Sequence, residues 1–318
     1  MKVDLLKKLY FNTLRIRLIE ERISREYSNQ NIRCPIHLSI GQEAISSPLS
    51  LVFNKKDFVV SNHRSHAHYL GKGGNLKKFI AELYGKKTGC SGGRGGSMHL
   101  NDKSCGFIAS TPIVANSIPV GVGLALSKKI KKEKGVVIIF FGDAAVEEGV
   151  FFESLNFAIV KKLKVIFVCE NNFYSVYSCF KYRQPKGRKI AKVVQSFGIK
   201  SLRLDGNNFY NNYKIYKKAY NFVKSKNLPI FIEFLTYRFV EHCGPNTDDH
   251  LNYRNINDLE LWKKKDSIFE KTFFFKKYLN KSSLEENIKK EINDAFIFAK
   301  KSVPPHIREA YTRLYAKK

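Results

Sequence analysis

The stretch VVIIFFGDAAVEEGVFFESLNFAIVKKLKVIFVCENN, residues 136–172, sets the architecture. Val136 to Phe141 is an unbroken apolar run of strand length, and it stops at Gly142-Asp143. A helical pattern follows from about Glu147 to Lys161, with Phe151, Leu155, Ala158 and Ile159 on one side. Val165 to Cys169 is a second apolar run, stopped by Glu170-Asn171-Asn172. Strands that lack apolar–polar alternation and are separated by a helix belong to a parallel sheet covered on both faces. The same grammar continues downstream. Ile199 to Leu204 ends at Asp205-Gly206, a helix follows, and Ile230 to Leu235 reads as a further strand. At the N-terminus, Leu5, Leu6, Leu9, Ile16, Ile19 and Ile23 form a helical stripe. From Asp258 onward the pattern is helical again, ending near Pro304-Pro305. The predicted fold is therefore α/β, a parallel sheet with helices on both faces. No repeat or low-complexity linker divides it, so residues 1–318 read as one domain with a helical arm over 1–30 and a helical region over 258–318.

In an open parallel sheet, ligands bind in the crevice beyond the carboxyl ends of the strands. Asp143 and Asn172 stand at two such ends, one strand–helix–strand crossover apart, and right-handed connectivity brings such ends side by side. A carboxylate and an amide oxygen are hard donors that suit Mg²⁺ when phosphates complete its shell. The N-terminus of the intervening helix is aimed at the same place, and its free N–H groups favour a phosphate. Singly, each element has a plainer reading. An Asp after a strand is usually a helix cap, and Asn-Asn is usually a turn. Together, at this spacing, they point to a metal-bridged phosphate site.

Composition narrows the alternatives. With 43% hydrophobic residues the chain can build a large core. No apolar run approaches the roughly 18 residues of a membrane span. The basic N-terminal segment is broken by charge every few positions and leads to no cleavage site, so it reads as part of an unprocessed cytoplasmic protein. Cys34, Cys90, Cys105, Cys169, Cys179 and Cys243 form no C-x-x-C pair and read as reduced thiols, with Cys169 in the core. The net charge of +28 admits a nucleic-acid-binding surface, but its excess is mostly lysine. Lys128, Lys129, Lys131, Lys132 and Lys134 sit between a predicted helix and strand, where solvated charge is ordinary. A nucleic-acid-binding protein also offers no reason for Asp143 and Asn172 at their spacing, and stays a distant alternative.

GDAAVEEGVFFESLNFAIVKKLKVIFVCENNFYSVYS, from Gly142, closely resembles the thiamine-diphosphate motif of the alpha subunits of pyruvate and branched-chain 2-oxo acid dehydrogenases, which opens on Gly-Asp-Gly and closes on Asn-Asn. The resemblance extends over GQEA at Gly41 to Ala44, HRSHAHYL from His63, AELYGKKTGCSGGRGGSMHL from Ala81, IPVGVGLAL from Ile118, YRFVEHCGPNTDD from Tyr237 and LWKKKDSIF around Trp262. It implies a thiamine-diphosphate-binding fold with Mg²⁺ held by the Asp143 carboxylate, the Asn172 side chain and the Tyr174 backbone carbonyl, and with Ala144 and Ala145 beside the diphosphate. Arg64 resembles the arginine that clamps the diphosphate, and His63 stands where the family often has tyrosine. Arg238 and His242 match the loop beside the diphosphate and the site entrance. A diphosphate needs cations beyond one metal ion, and arginine supplies a fixed fork. His242 is expected to donate a proton or hydrogen bond during acyl transfer. His66 and His68 read as satisfied core histidines. Ser110 to Val114 aligns with contacts to the aminopyrimidine, through Pro112, and with an apolar wedge under the cofactor, either Ile113 or Val114. His99 is a further expected active-site residue. Gly89 to Gly96, with Arg94, is a candidate phosphate-cradling loop.

Three departures from the family pattern stand out. Ala144 replaces the third motif glycine and sets a methyl group beside the diphosphate. Cys243 to His250 is longer than the usual loop and carries Asp248 and Asp249, which leaves acceptor docking and the substrate pocket open. Asn208 replaces an acid common after the Asp-Gly turn. The function implied is that of an alpha subunit in oxidative decarboxylation of a small 2-oxo acid with acyl transfer to a lipoyl group. The implied partners are a beta subunit carrying the pyrimidine-binding domain and a catalytic Glu, in a heterotetramer, and a lipoyl acyltransferase component. A carboligase or non-oxidative decarboxylase subunit would share every cofactor residue. The sequence does not name the 2-oxo acid.

Overall fold

Six parallel strands form the centre of the molecule. They are β1 (Phe58–Ser61), β2 (Phe107–Ser110), β3 (Val137–Gly142), β4 (Val165–Asn171), β7 (Lys200–Asp205) and β8 (Ile230–Leu235), in the order β2-β1-β3-β4-β8-β7. A short antiparallel ribbon, β5 (Tyr174–Ser175) with β6 (Ser178–Cys179), follows β4. This computed structural model describes residues 2–268 and 281–312. Parts of the helical region expected over 258–318, residues 269–280 and 313–318, lie outside the described residues.

Successive residues of the central strands feed two separate cores, as unalternated apolar strands must. Ile138, Phe140, Ile166, Val168, Ile230 and Ile232 enter one core, while Val137, Ile139, Phe141, Val165, Phe167 and Phe231 enter the other. The first core is closed by the helices Lys2–Tyr27, Phe209–Lys226 and Lys281–Lys301. The second is closed by Ser117–Ile130, Gly149–Val160 and Ile190–Gln195. Of the expected N-terminal stripe, Leu9, Ile16, Ile19 and Ile23 are buried. Cys169 is buried in β4.

The strands expected around Asp143 and Asn172 are present, but β1 and β2 carried too little pattern to be foreseen. Each has only four residues. They matter because they create the topological switch. The chain leaves β1 for β2 on one side of it, and returns to place β3 and β4 on the other. The crevice beyond the carboxyl ends of β1 and β3 is where such sheets bind ligands. A second difference is at Lys128. It is buried, with its ammonium 3.6 Å from the Phe58 ring centroid and 3.3 Å from the Lys134 carbonyl oxygen, so one member of the supposed solvated cluster is a packed residue. None of the described helices is long and apolar enough to cross a membrane.

Two glycines of the helix Ser117–Ile130 test how closely that helix lies on the sheet. A Cβ at Gly121 would fall 2.5 Å from the Ile139 side chain, whereas at Gly123 it would meet nothing within 4 Å. Gly121→Ala is expected to destabilise by about 1–3 kcal/mol through overpacking. Gly123→Ala is expected to stabilise by about 0.5–1 kcal/mol through helix propensity. Urea unfolding midpoints of the two variants read the opposite signs directly.

Candidate active site

The carboxyl ends of β1, β3 and β4 open into one cleft. Beyond β1 come Asn62, His63 and Arg64, and the tip of β3 contributes Gly142 to Ala145. The tip of β4 adds Glu170 and Asn172, the ribbon adds Tyr174 to Val176, and the chain after β8 adds His242. Asp143 and Asn172 therefore meet as their spacing requires: β3 and β4 pair through Gly142 and Glu170, and both side chains reach the same space.

Asp143 is only 2% exposed. Burial raises its pKa to about 6, against the pull of the Arg183 guanidinium, which bonds both Asp143 and Glu147. The Asn172 side chain accepts from the Tyr174 N–H at 3.1 Å and donates to Gln42 Oε1 at 3.3 Å. Arg64 lies buried across the cleft, and no carboxylate pairs with it among the described residues. Its guanidinium instead donates to the carbonyls of Leu38 (2.6 Å) and His242 (3.1 Å). Burial, with Arg238 nearby, lowers its pKa to about 10. The cleft thus holds a buried acid paired with a guanidinium, and a second buried guanidinium with no acid on it among the described residues.

Three imidazoles converge beside Arg64. His37, His63 and His242 have ring centroids 4.6, 5.1 and 5.4 Å apart. Burial first, then the Arg64 charge, lowers their pKa values to about 2, 4 and 3 respectively, so all three are neutral at pH 7. His66 and His68 are the satisfied core histidines expected: His66 bridges Glu20 and Ser97, and His68 bridges Ser61 and Glu170.

A profile of the dehydrogenase E1 component family matches residues 12–308. The chain is 34% identical over 313 residues to the pyruvate dehydrogenase E1 component subunit alpha of Rickettsia bellii, covering 97% of this chain and 95% of that protein. It is 35% identical to the Rickettsia felis subunit with the same coverage, and 33% identical to the mitochondrial subunit alpha-2 of Arabidopsis thaliana, covering 95% of this chain and 77% of that one. The chain belongs to the dehydrogenase E1 component family. Within that family it is an alpha subunit of a thiamine-diphosphate-dependent 2-oxo acid dehydrogenase, an oxidoreductase.

The structure sorts the residues that the E1 pattern singles out. Ala144 and Ala145 line the cleft, and Ala144 has no positive φ, so its methyl requires no glycine-only backbone. Of the two wedge candidates Val114 lines the cleft; Ile113 is 64% exposed, and neither it nor Pro112 is in the lining. His99 is outside the lining too: it is exposed, with Nδ1 3.3 Å from the Gly95 carbonyl. Arg238 is buried behind the wall, where it donates to the Val176 carbonyl at 2.7 Å and to Tyr253, and pairs with Asp248. The helix after β3 starts only at Gly149. A 3-10 turn, Asp143–Glu147, separates it from the strand tip, so the helix end is not the group facing the cleft.

The glycine loop does not cradle a phosphate. The N–H groups of Ser91, Gly93, Gly95 and Gly96 all donate to the Glu82 carboxylate, at 2.7 to 3.2 Å, so the loop already contains its anion. Arg94 points to the C-terminal segment at Glu309 and Thr312. Asn208 caps the helix Phe209–Lys226 by accepting from the Asn211 N–H, a task it performs as well as an acid. Arg183 was missed altogether, because it follows the recognised motif and nothing around it marks it.

The three imidazoles, His37 buried and His63 and His242 partly so, make stability pH-dependent. Their folded pKa values lie below the unfolded 6.5, so the stability they contribute is present above pH 6.5 and is lost as pH falls through it. Each is expected to cost about 1.4 kcal/mol between neutral pH and pH 5.5. Urea unfolding of the wild type across that range should be steeper than that of His37→Gln, and identical slopes would contradict the burial of an ionisable ring there.

Proposed function

We propose that the cleft binds Mg²⁺–thiamine diphosphate, with Asp143, Asn172 and the Tyr174 carbonyl on the metal and Arg64 on the diphosphate. The observation that carries this reading is that one cleft is lined by both a buried carboxylate, paired with a guanidinium, and a buried guanidinium that no carboxylate pairs with among the described residues. A magnesium diphosphate presents its cation to the first and its anion to the second. The donor set suits it, since a carboxylate and amide oxygen are hard ligands at adjacent strand tips. When bound, thiamine diphosphate supplies a carbon that adds to a 2-oxo acid and an electron sink for the departing CO₂.

The chain's own residues position and enclose. Val114 and Ala115 give the cleft that holds Asp143 to Ala145 an apolar side, which suits the wedge under the cofactor. His63 and His242 are neutral rings at working pH, so they suit hydrogen bonding to substrate or diphosphate. With a pKa near 3, His242 is a poor proton donor until an anion beside it raises that value. We infer pyruvate as the 2-oxo acid from the names of the relatives, and a beta subunit as the source of the catalytic Glu. We also infer a lipoyl acyltransferase as the acceptor and the cytoplasm as the compartment.

The test uses the full chain in complex with a beta-type partner. Thiamine diphosphate binding, followed by calorimetry, is expected to require Mg²⁺ and to vanish with a chelator. Asp143→Asn and Arg64→Ala should each weaken it by more than about 100-fold. Metal-independent binding that both variants retain would remove the proposal. The chain without its partner is expected to release no CO₂ from pyruvate.

A further inference from the structure

We propose that His37, His63 and His242 form a second, transition-metal site, separate from Asp143 and Asn172, that takes Zn²⁺ or a similar borderline ion. The three residues come from different parts of the chain. His37 precedes the Gly41–Ala44 turn, His63 follows β1, and His242 follows β8. Each offers a ring nitrogen, and these nitrogens all lie within 4.8 Å of one another. At Zn–N distances of about 2.0–2.1 Å, tetrahedral ligands stand roughly 3.3 Å apart, so the rings need close by only about 1.5 Å.

A second observation points the same way. His37 is 7% exposed, and its Nδ1 has no hydrogen-bond partner among the described residues. A buried polar atom left unpaired is costly, and most such atoms in folded proteins have a partner. A metal ion at the centre of the cluster would supply one. Ligating imidazoles must be neutral, and burial already keeps these three so. Three nitrogen donors select Zn²⁺, Co²⁺ or Ni²⁺ over Mg²⁺, which takes oxygen.

One charge opposes the ion. Arg64 lies 3.4 Å from His242 Nδ1, and a divalent cation beside a guanidinium is repelled. An anion in the fourth position offsets that repulsion. Three protein ligands leave that position free for hydroxide or a phosphate oxygen, and because His63 and His242 line the cleft it opens there. The site shares His63 and His242 with the cofactor cleft, so its test is made with thiamine diphosphate absent, and its failure is distinct from failure of cofactor binding.

The experiment titrates the metal-free full chain with Co²⁺, without thiamine diphosphate, and follows visible d–d absorption. The expected result is one tetrahedral ion, displaced by Zn²⁺ and untouched by excess Mg²⁺. His37→Gln, His63→Tyr and His242→Gln should each weaken binding by more than about 100-fold, the loss of a direct ligand exceeding that of an outer one. His63 stands at the cleft wall, so His63→Tyr keeps the test valid if His37→Gln fails to fold. Cys243→Ser should leave the spectrum unchanged. An absent tetrahedral band, a band lost in Cys243→Ser, displacement by Mg²⁺, or affinity unaltered by the histidine substitutions would each overturn the site.

Discussion

A carboxylate taken out of water at the tip of a central strand must bring a cation with it. Desolvation of an unpaired ion amounts to several kcal/mol, more than any single packing contact returns. Asp143 is in that position, and its neighbours are arranged around the need. Arg183 reaches it from the short helix Phe180–Arg183, after the ribbon β5–β6, and a second bond to Glu147 fixes the guanidinium over the 3-10 turn. The segment that follows β4 is thereby tied to the strand tip of β3 through Asp143 and Glu147. The guanidinium balances Asp143 from outside the residues that line the cleft.

The opposite wall follows the reverse logic. Arg64 is fixed through backbone carbonyls of Leu38 and His242, which satisfy its N–H groups but leave its charge uncompensated. The nearest carboxylate of the lining, Glu170, is engaged by His68. Neutral rings, rather than acids, crowd the guanidinium, and this keeps the positive potential directed into the cleft. The two charged groups of the lining are thus held differently, Asp143 by a guanidinium and Arg64 by backbone carbonyls.

What was legible in the sequence follows from length and from locality. β3, β4 and β8 are long apolar runs, and the Asp143–Asn172 relation is a single crossover, so pattern alone reaches it. β1 and β2 are four residues each and end in serine, which leaves no periodicity to read. The glycine loop is a candidate phosphate cradle in sequence because its partner, Glu82, belongs to the helix before it; a nest of N–H groups looks the same in sequence whether its anion is external or built in. His99 fails to reach the cleft for a similar reason, since the direction of an irregular loop is fixed by contacts at its far side. Arg183 has no local signature at all. Its role exists only because folding sets it on Asp143.

The loop after His242 shows how a departure from a family pattern is absorbed. Asp248 is buried and lies between two arginines, Arg238 and Arg254, with the Tyr253 hydroxyl on the same carboxylate. Arg254 also donates to the Arg238 carbonyl at 2.7 Å, and Arg238 holds the Val176 carbonyl at the cleft wall. The added acid is therefore spent inside the loop. A buried ion pair of this kind adds little net stability compared with apolar packing, but removing one partner leaves a charge stranded, so it selects a single loop geometry. That geometry carries His242 and fixes Val176, two parts of the cleft lining that a freely moving loop would blur. Asp249, half-buried and only 3.6 Å from Arg254, is the one acid of the pair left near the surface. Asp249 is thus the acid of this loop with access to solvent, because Asp248 is already committed to bracing the wall.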